Sequence, residues 1–241
     1  MRAQDRRSVA VSFSGMDGAG KSTQIDALAR YMEQSGLQVQ RVAFWDDVAR
    51  LTSFRETAGH KIFRGDKGVG TPEKPIERRD KNVRSRFMSL VRLFLYTVDA
   101  VSLRMVAIRY RRSGSDLIIF DRYAYDELVN LNLNNPLVRI YARFVMWLTP
   151  RPDVSYVLDA NPVEARARKP EYPLDFLIEC RESYKALNRT IGGMTIIPPM
   201  PVAEVHREVL RFALEQLSAK GIVGMAREAR LDGDVIRTAA S

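Results

Sequence analysis

The stretch Val9-Ala10-Val11-Ser12-Phe13-Ser14-Gly15-Met16-Asp17-Gly18-Ala19-Gly20-Lys21-Ser22-Thr23-Gln24-Ile25-Asp26 decides the reading of this chain. Val9 to Phe13 is an apolar run of strand length, and Ile25, Leu28 and Ala29 follow at helical spacing. Between them lies Gly-x-x-x-x-Gly-Lys-Ser, the strand–loop–helix setting of a phosphate-binding loop. Gly15, Gly18 and Gly20 let the backbone curl with its N–H groups inward, while the next helix adds its positive N-terminal end. Lys21 offers a point charge for β- and γ-phosphates, and the Ser22 hydroxyl suits a Mg²⁺ ligand. Gly15, Met16, Asp17, Gly18, Ala19, Gly20, Lys21, Ser22 and Thr23 are therefore the expected ATP-phosphate cradle.

Working outward, near-continuous apolar runs recur at 8–14, 38–45, 116–120, 153–159 and 194–197. Helical patterns separate them at 21–35, 80–112, 124–148, 161–168, 174–190 and 201–219. Buried runs alternating with helices predict an α/β fold, a five-stranded parallel sheet covered on both faces in three α/β/α layers. The expected organisation is one domain over 1–219 and a loosely held tail over 220–241. Within the domain lie a basic inserted loop at 46–86 and a lid at 161–173.

The third run ends in Asp121-Arg122-Tyr123. A carboxylate after a buried strand beside a phosphate loop can reach Mg²⁺ directly or through water; the alternative is a strand-end aspartate that caps the following helix. Arg122 would then offer a guanidinium beside transferring phosphates. After the fourth run comes Asn161-Pro162, a favourable N-cap and first helical residue. That helix ends with Arg166, Arg168 and Lys169 before Pro170. These cations either complement the helix dipole or form a lid that closes over phosphates and supplies transition-state charge.

Composition bounds the alternatives. The chain has 241 residues, 46% of them hydrophobic, which is enough for a full core. No apolar stretch approaches the roughly 18–20 residues of a membrane span, and the first seven residues lead into a strand rather than a signal-type apolar region. The single cysteine, Cys180, excludes an internal disulfide and a cysteine-based zinc site. The expected location is therefore cytoplasmic. A net charge of +9 and a pI near 9.8 fit either nucleic-acid binding or an anion pocket with a solvated basic surface. The phosphate loop favours the anion pocket over nucleic acid. Between Arg55 and Arg86, ten Lys/Arg face five Asp/Glu, about half of the chain's excess charge. Such a long basic loop is either a solvated mobile segment or a lid or subunit contact near an anionic ligand.

Other residues draw plain expectations. His60 and His206 are read as surface or loop residues, and Cys180 as a small core residue on a stripe with Leu177, Tyr184, Leu187 and Ile191. On the helix expected over 80–112, Phe87, Leu90, Phe94, Val98 and Val101 form an apolar stripe read as core. Tyr123 and Tyr125 could stack on a base or simply pack.

Phe13 to Gln24 resembles the phosphate loop of thymidylate kinases, which reads F-E-G-x-D/E-G-A-G-K-S/T-T-Q. Asp121-Arg122-Tyr123 matches that family's D-R-Y element. The run Pro152-Asp153, Leu158-Asp159, Pro162, Ala165 and Arg168, then Phe176, Arg181 and Tyr184, is similar to its lid and following helix. The resemblance implies a nucleoside-monophosphate-kinase core that moves a phosphoryl group from Mg²⁺-ATP to a small nucleotide acceptor, dTMP in that family. By the same likeness Asp17 would face the acceptor's sugar, with a backbone-capping turn role as its alternative. Arg122 would grip the acceptor phosphate, and Arg166, Arg168 or Lys169 would supply the catalytic cation, because Gly18 occupies a loop position where some members carry arginine. A homodimer is a further implication.

Two elements depart from the family pattern. Its R-E-P-G-G-T segment should follow the second strand, where this chain reads Phe44-Trp45-Asp46-Asp47, with only an echo at Arg55-Glu56-Thr57-Ala58-Gly59. Its A-D-R on the central helix is replaced by Val98-Asp99-Ala100. Both elements concern the acceptor, so kinases for another small acceptor, and a nucleotide-regulated binding protein, stay open beside thymidylate phosphorylation.

Overall fold

Val9–Ser14 (β1) is buried along its whole length, because it occupies the centre of the sheet. In a computed structural model, which describes residues 8–48 and 86–223, the strands order as β2-β3-β1-β4-β5. The others are Val39–Ala43 (β2), Leu117–Asp121 (β3), Val154–Leu158 (β4) and Thr195–Ile197 (β5). All pairings are parallel, with Phe13 in register with Asp121 and with Tyr156. Strands covered on both faces carry the continuous apolar runs that the sequence displays. The five expected strands and the layered α/β architecture are present.

Helices fill both faces. Lys21–Gln34 (α1) and Val202–Ala219 (α7) bury Ile25, Leu28, Met32, Val209, Leu210 and Leu214 against one side of β1 and β4. Arg86–Arg111 (α2), Ala124–Leu128 (α3), Pro136–Leu148 (α4) and Leu174–Ile191 (α6) cover the other. The short helix Pro162–Arg168 (α5) lies over the loop after β1. Nearly all of the basic segment 46–86, and residues 224–241 of the tail, fall outside the described residues. Lys220, where the tail was expected to begin, is held: its ammonium donates to the Ser8 carbonyl at 3.0 Å and the Asp153 carboxylate at 2.7 Å.

Two expectations are corrected. The single helix over 124–148 is two, α3 and α4, separated by a turn rich in asparagine. Asn132 accepts from the Asn134 amide, and Asn135 caps α4 by accepting from the Leu137 amide at 2.9 Å. Asparagine side chains that bond nearby amides compete with a continuing helix, and Pro136 has no amide to continue it. Of the stripe expected on α2, Phe94 is 65% exposed, Val101 is exposed and Val98 is half-buried, while the side chains of Phe87 and Leu90 lie outside the described residues. The face turned inward is Tyr96, Ala100, Leu103 and Ala107. On the neighbouring α4, Leu137, Ile140, Phe144 and Trp147 are exposed at the same helical spacing. Two adjacent helices thus present apolar faces to the outside. No helix among the described residues is long and apolar enough to cross a membrane.

Candidate active site

The site grows from the C-terminal end of β1. Gly15 and Gly18 have φ of +139° and +81°, a region that side-chain-bearing residues rarely adopt. Both are also pressed by neighbouring backbone. A Cβ on Gly15 would lie 2.6 Å from the Leu158 carbonyl oxygen. The loop closes with Ala19 N–H donating to the Met16 carbonyl, and α1 begins at Lys21 directly after it. Ser22 and Thr23 are exposed in the first turn.

Lys21 points back into this loop. Its ammonium donates to the carbonyls of Gly15 (2.8 Å) and Met16 (3.0 Å) and lies 3.9 Å from Asp17 Oδ1, with the residue only 8% exposed. Burial first, and then the Arg122 guanidinium, hold its pKa below the ordinary lysine value, against the opposing pull of Asp126, Asp17 and Asp121. A buried cation in a glycine-rich loop before a helix N-terminus suits a polyphosphate.

The parallel register brings the second motif alongside, since Phe13 and Asp121 are paired across β1 and β3. Asp121 is half-buried, and burial raises its carboxyl, with Arg122 and Lys21 acting against the rise. It is not the cap of α3. That position is Tyr123, whose amide donates to Asp126. Arg122 is the one residue other than glycine with positive φ among the described residues, at 70°. Its amide donates to the Phe13 carbonyl at 3.0 Å, and its guanidinium donates to Asp17 Oδ1 at 3.0 Å. Burial would depress this guanidinium, but Asp126, Asp17 and smaller contributors outweigh it and hold Arg122 above its ordinary value.

Asp17 therefore lies against the two cations of the site, the expected phosphate lysine and the expected acceptor arginine. Tyr123 and Tyr125 are buried and pack. The Tyr123 hydroxyl donates to the Pro150 carbonyl, and the Tyr125 hydroxyl bonds the Ser155 hydroxyl at 3.1 Å. Neither is open to a base. His206, expected at the surface, is half-buried on α7 with Nδ1 3.3 Å from Gln24 Oε1, and burial lowers its pKa. Cys180 is half-buried and packs beside the core, on the helix that buries Leu177, Tyr184 and Leu187.

The expected lid helix is α5. Asn161 caps it as the sequence indicates, accepting from the Val163 amide at 3.0 Å. Ala165 packs with Met16, Ala160, Tyr172 and Leu177, so α5 rests on the phosphate loop. Arg166 is half-exposed, while Arg168 and Lys169 are exposed. Lys169 pairs with Glu171 at 3.3 Å, and Arg168 Nε donates to the Glu164 carbonyl.

Two arrangements carry no signal in sequence spacing. Arg181 on α6 grips Asp159, three residues before α5, in a two-bond fork of 2.6 and 2.7 Å. Asp126, buried on α3, accepts from the Ser14 hydroxyl (2.6 Å), the Tyr123 amide (2.9 Å) and the Tyr184 hydroxyl (2.8 Å). Their partners lie 22 to 112 residues away apart from Tyr123, so only the fold joins them.

Comparison with known proteins follows this geometry. No family model matches the chain. A thymidylate kinase of Prochlorococcus marinus strain AS9601 is 23% identical over 220 residues, covering 86% of this chain and 96% of that protein. A second, from strain MIT 9312, is 25% identical over 224 residues with the same coverage. A probable thymidylate kinase of Methanosphaera stadtmanae is 24% identical over 205 residues, covering 83% and 94%. The crystal structure of thymidylate kinase from Ehrlichia chaffeensis superposes with a TM-score of 0.51 at 18% identity, covering 85% of this chain and 97% of that one. Over most of its length the chain is similar to thymidylate kinases. Its core is the three-layer α/β/α arrangement of a P-loop kinase. Asp99 and Ala100, which stand where the sequence comparison places the thymidylate kinase A-D-R, are both buried on the inner face of α2.

Proposed function

We propose that the chain is an ATP- and Mg²⁺-dependent nucleotide kinase of the thymidylate kinase type, converting dTMP and ATP to dTDP and ADP. The observation that carries this reading is the carboxylate of Asp17 between two cations, 3.0 Å from Arg122 and 3.9 Å from Lys21. A donor-phosphate lysine and an acceptor-phosphate arginine that share one neighbour can hold two phosphates for in-line transfer. The likeness to thymidylate kinases supplies the acceptor.

In this reading Gly15 to Thr23 hold the ATP phosphates through loop amides and Lys21. Arg122 leaves Asp17 for the incoming monophosphate, whose oxygen bonds the γ-phosphorus as the bond to ADP breaks. Ser22 and Asp121 would hold Mg²⁺, which when bound neutralises charge on the transferring phosphate. Arg166, Arg168 or Lys169 brings a further cation from α5, seated against the loop, a contribution worth about 10³–10⁵ in rate where an arginine does it. Alignment and charge neutralisation carry such a reaction, so no general base is assigned.

The replacement of the family's acceptor elements by Phe44-Trp45-Asp46-Asp47 and Val98-Asp99-Ala100 favours a second reading, the same transfer to a different small acceptor. Purified protein with Mg²⁺-ATP and a panel of nucleoside monophosphates and nucleosides tests both. ADP formed in step with dTDP supports the first, turnover on another acceptor supports the second, and ATP binding without any transfer overturns both.

For the partner, we infer a second copy of the chain. Exposed Phe94, Val101 and Met105 on α2 and Leu137, Ile140, Phe144 and Trp147 on α4 form an apolar surface of the kind that marks protein interfaces. A two-fold axis would bury the same patch on both copies.

A further inference from the structure

We propose that Asp126 is a positioning residue for phosphoryl transfer: its carboxylate pins the backbone that presents Arg122 and ties it to the phosphate loop and to α6. The inference rests on the kinase reading above, in which Arg122 meets the acceptor phosphate.

Arg122 sits in a left-handed conformation that an arginine keeps only where its surroundings enforce it. The peptide before it is held by the Arg122 amide on Phe13, and the peptide after it by the Tyr123 amide on Asp126 Oδ2. The same Oδ2 accepts from the hydroxyl of Ser14, the residue before Gly15, whose carbonyl accepts from Lys21. The other oxygen accepts from Tyr184, three residues beyond the Arg181 that clamps Asp159, just before α5. Burial and the neighbouring Asp126 hold the Tyr184 phenol far above its ordinary value, so it remains a donor. One buried carboxylate thus gathers donors from the end of β1, the β3–α3 turn and α6. A mere helix cap would need only the Tyr123 amide.

The geometry gives each substitution its own signature. Asp126→Ala removes all three ties. Asp126→Asn keeps the shape, since its oxygen can accept from Ser14 and Tyr123 while its amide donates to Tyr184. Tyr184→Phe cuts one tie and leaves the rest of the packing in place.

Steady-state kinetics on the three variants, with each substrate varied in turn, read the role. For Asp126→Ala the acceptor KM should rise about tenfold or more and kcat fall about 10- to 100-fold, with the KM for ATP within about threefold. Asp126→Asn should recover kcat to within about fivefold of wild type, and Tyr184→Phe should raise the acceptor KM about threefold or more. Equal changes in the two KM values, or wild-type kinetics in both Asp126→Ala and Tyr184→Phe, would overturn the proposal. Should Asp126→Ala not fold, Tyr184→Phe alone decides between these outcomes. The guanidinium NMR signals of Arg122 give a readout free of turnover: they should be sharp in wild type and broadened or shifted in Asp126→Ala and Tyr184→Phe. Unchanged signals would sink the role of Asp126 even where dTMP is phosphorylated, whereas absence of transfer by wild type would sink the kinase reading while these signals still report on Asp126.

Discussion

A Cβ placed on Gly18 would lie 2.3 Å from the carbonyl oxygen of Ala165, so the tip of the phosphate loop and helix α5 meet backbone to backbone. The contact leaves no room for a side chain at residue 18. It also fixes the position of Arg166, the next residue of α5, relative to the loop.

Gly18→Ala should therefore push α5 away from the loop. The expected result is a kcat reduced about 10- to 100-fold with a smaller change in the KM for ATP, because the displaced element brings charge rather than the cradle. The positive φ adds a modest loss of thermal stability, on the order of 1 kcal/mol. Wild-type kcat in this variant would mean that the contact has no part in transfer.

Lys21→Ala should abolish turnover while the cooperative thermal transition persists, since the variant deletes a buried cation rather than core volume. A pH effect follows from the same group. Its pKa is lowered in the ligand-free protein, so below that pKa the buried charge costs stability, and the cost fades as pH rises through it. Bound polyphosphate favours the charged form and draws a proton in. ATP affinity by calorimetry should accordingly weaken as pH rises through that lowered pKa, with proton uptake seen as a buffer-dependent heat. A flat affinity with buffer-independent heat would contradict this account.

Asp121→Asn keeps the size of the side chain and removes its charge. Half-saturation by Mg²⁺ should move to roughly tenfold higher concentration in activity titrations, with little change in the thermal transition. An unchanged metal titration would remove Asp121 from the metal role.

Trp147 is 74% exposed and stacks on Phe144 at 6.2 Å between ring centres. Trp147→Glu should convert a dimer to a monomer in sedimentation velocity at micromolar protein, because a charge would be buried twice across a two-fold interface. A wild-type protein that sediments as a monomer at every concentration would end the proposal of a second copy.

The sheet and the phosphate loop were legible because both are written in local pattern: apolar runs of strand length, and glycines at fixed offsets before Lys21. An earlier asparagine–proline pair in the chain carries the same local signal. Asn135-Pro136 caps α4 as Asn161-Pro162 caps α5, and it marked the break in the helix expected over 124–148. The stripe on α2 misled for a different reason. Spacing reveals that a face is apolar but not what it meets, and Phe94 and Tyr96 differ only in which side of the helix the sheet occupies. The ties of Asp126 to Ser14 and Tyr184 had no signal in spacing, because parallel pairing and helix packing alone bring those segments together.

The central place of β1 has a bearing on biosynthesis. This wholly buried strand leaves the ribosome before the four other strands, yet its hydrogen-bonded neighbours begin at Leu117 and Val154. At about 5–20 residues per second it waits on the order of 5–20 seconds for a partner. During that interval an apolar edge is available to other nascent chains or to chaperones. Substitutions that weaken β3 or β4 should accordingly lower the yield of recoverable protein more than the melting temperature of the fraction that does mature.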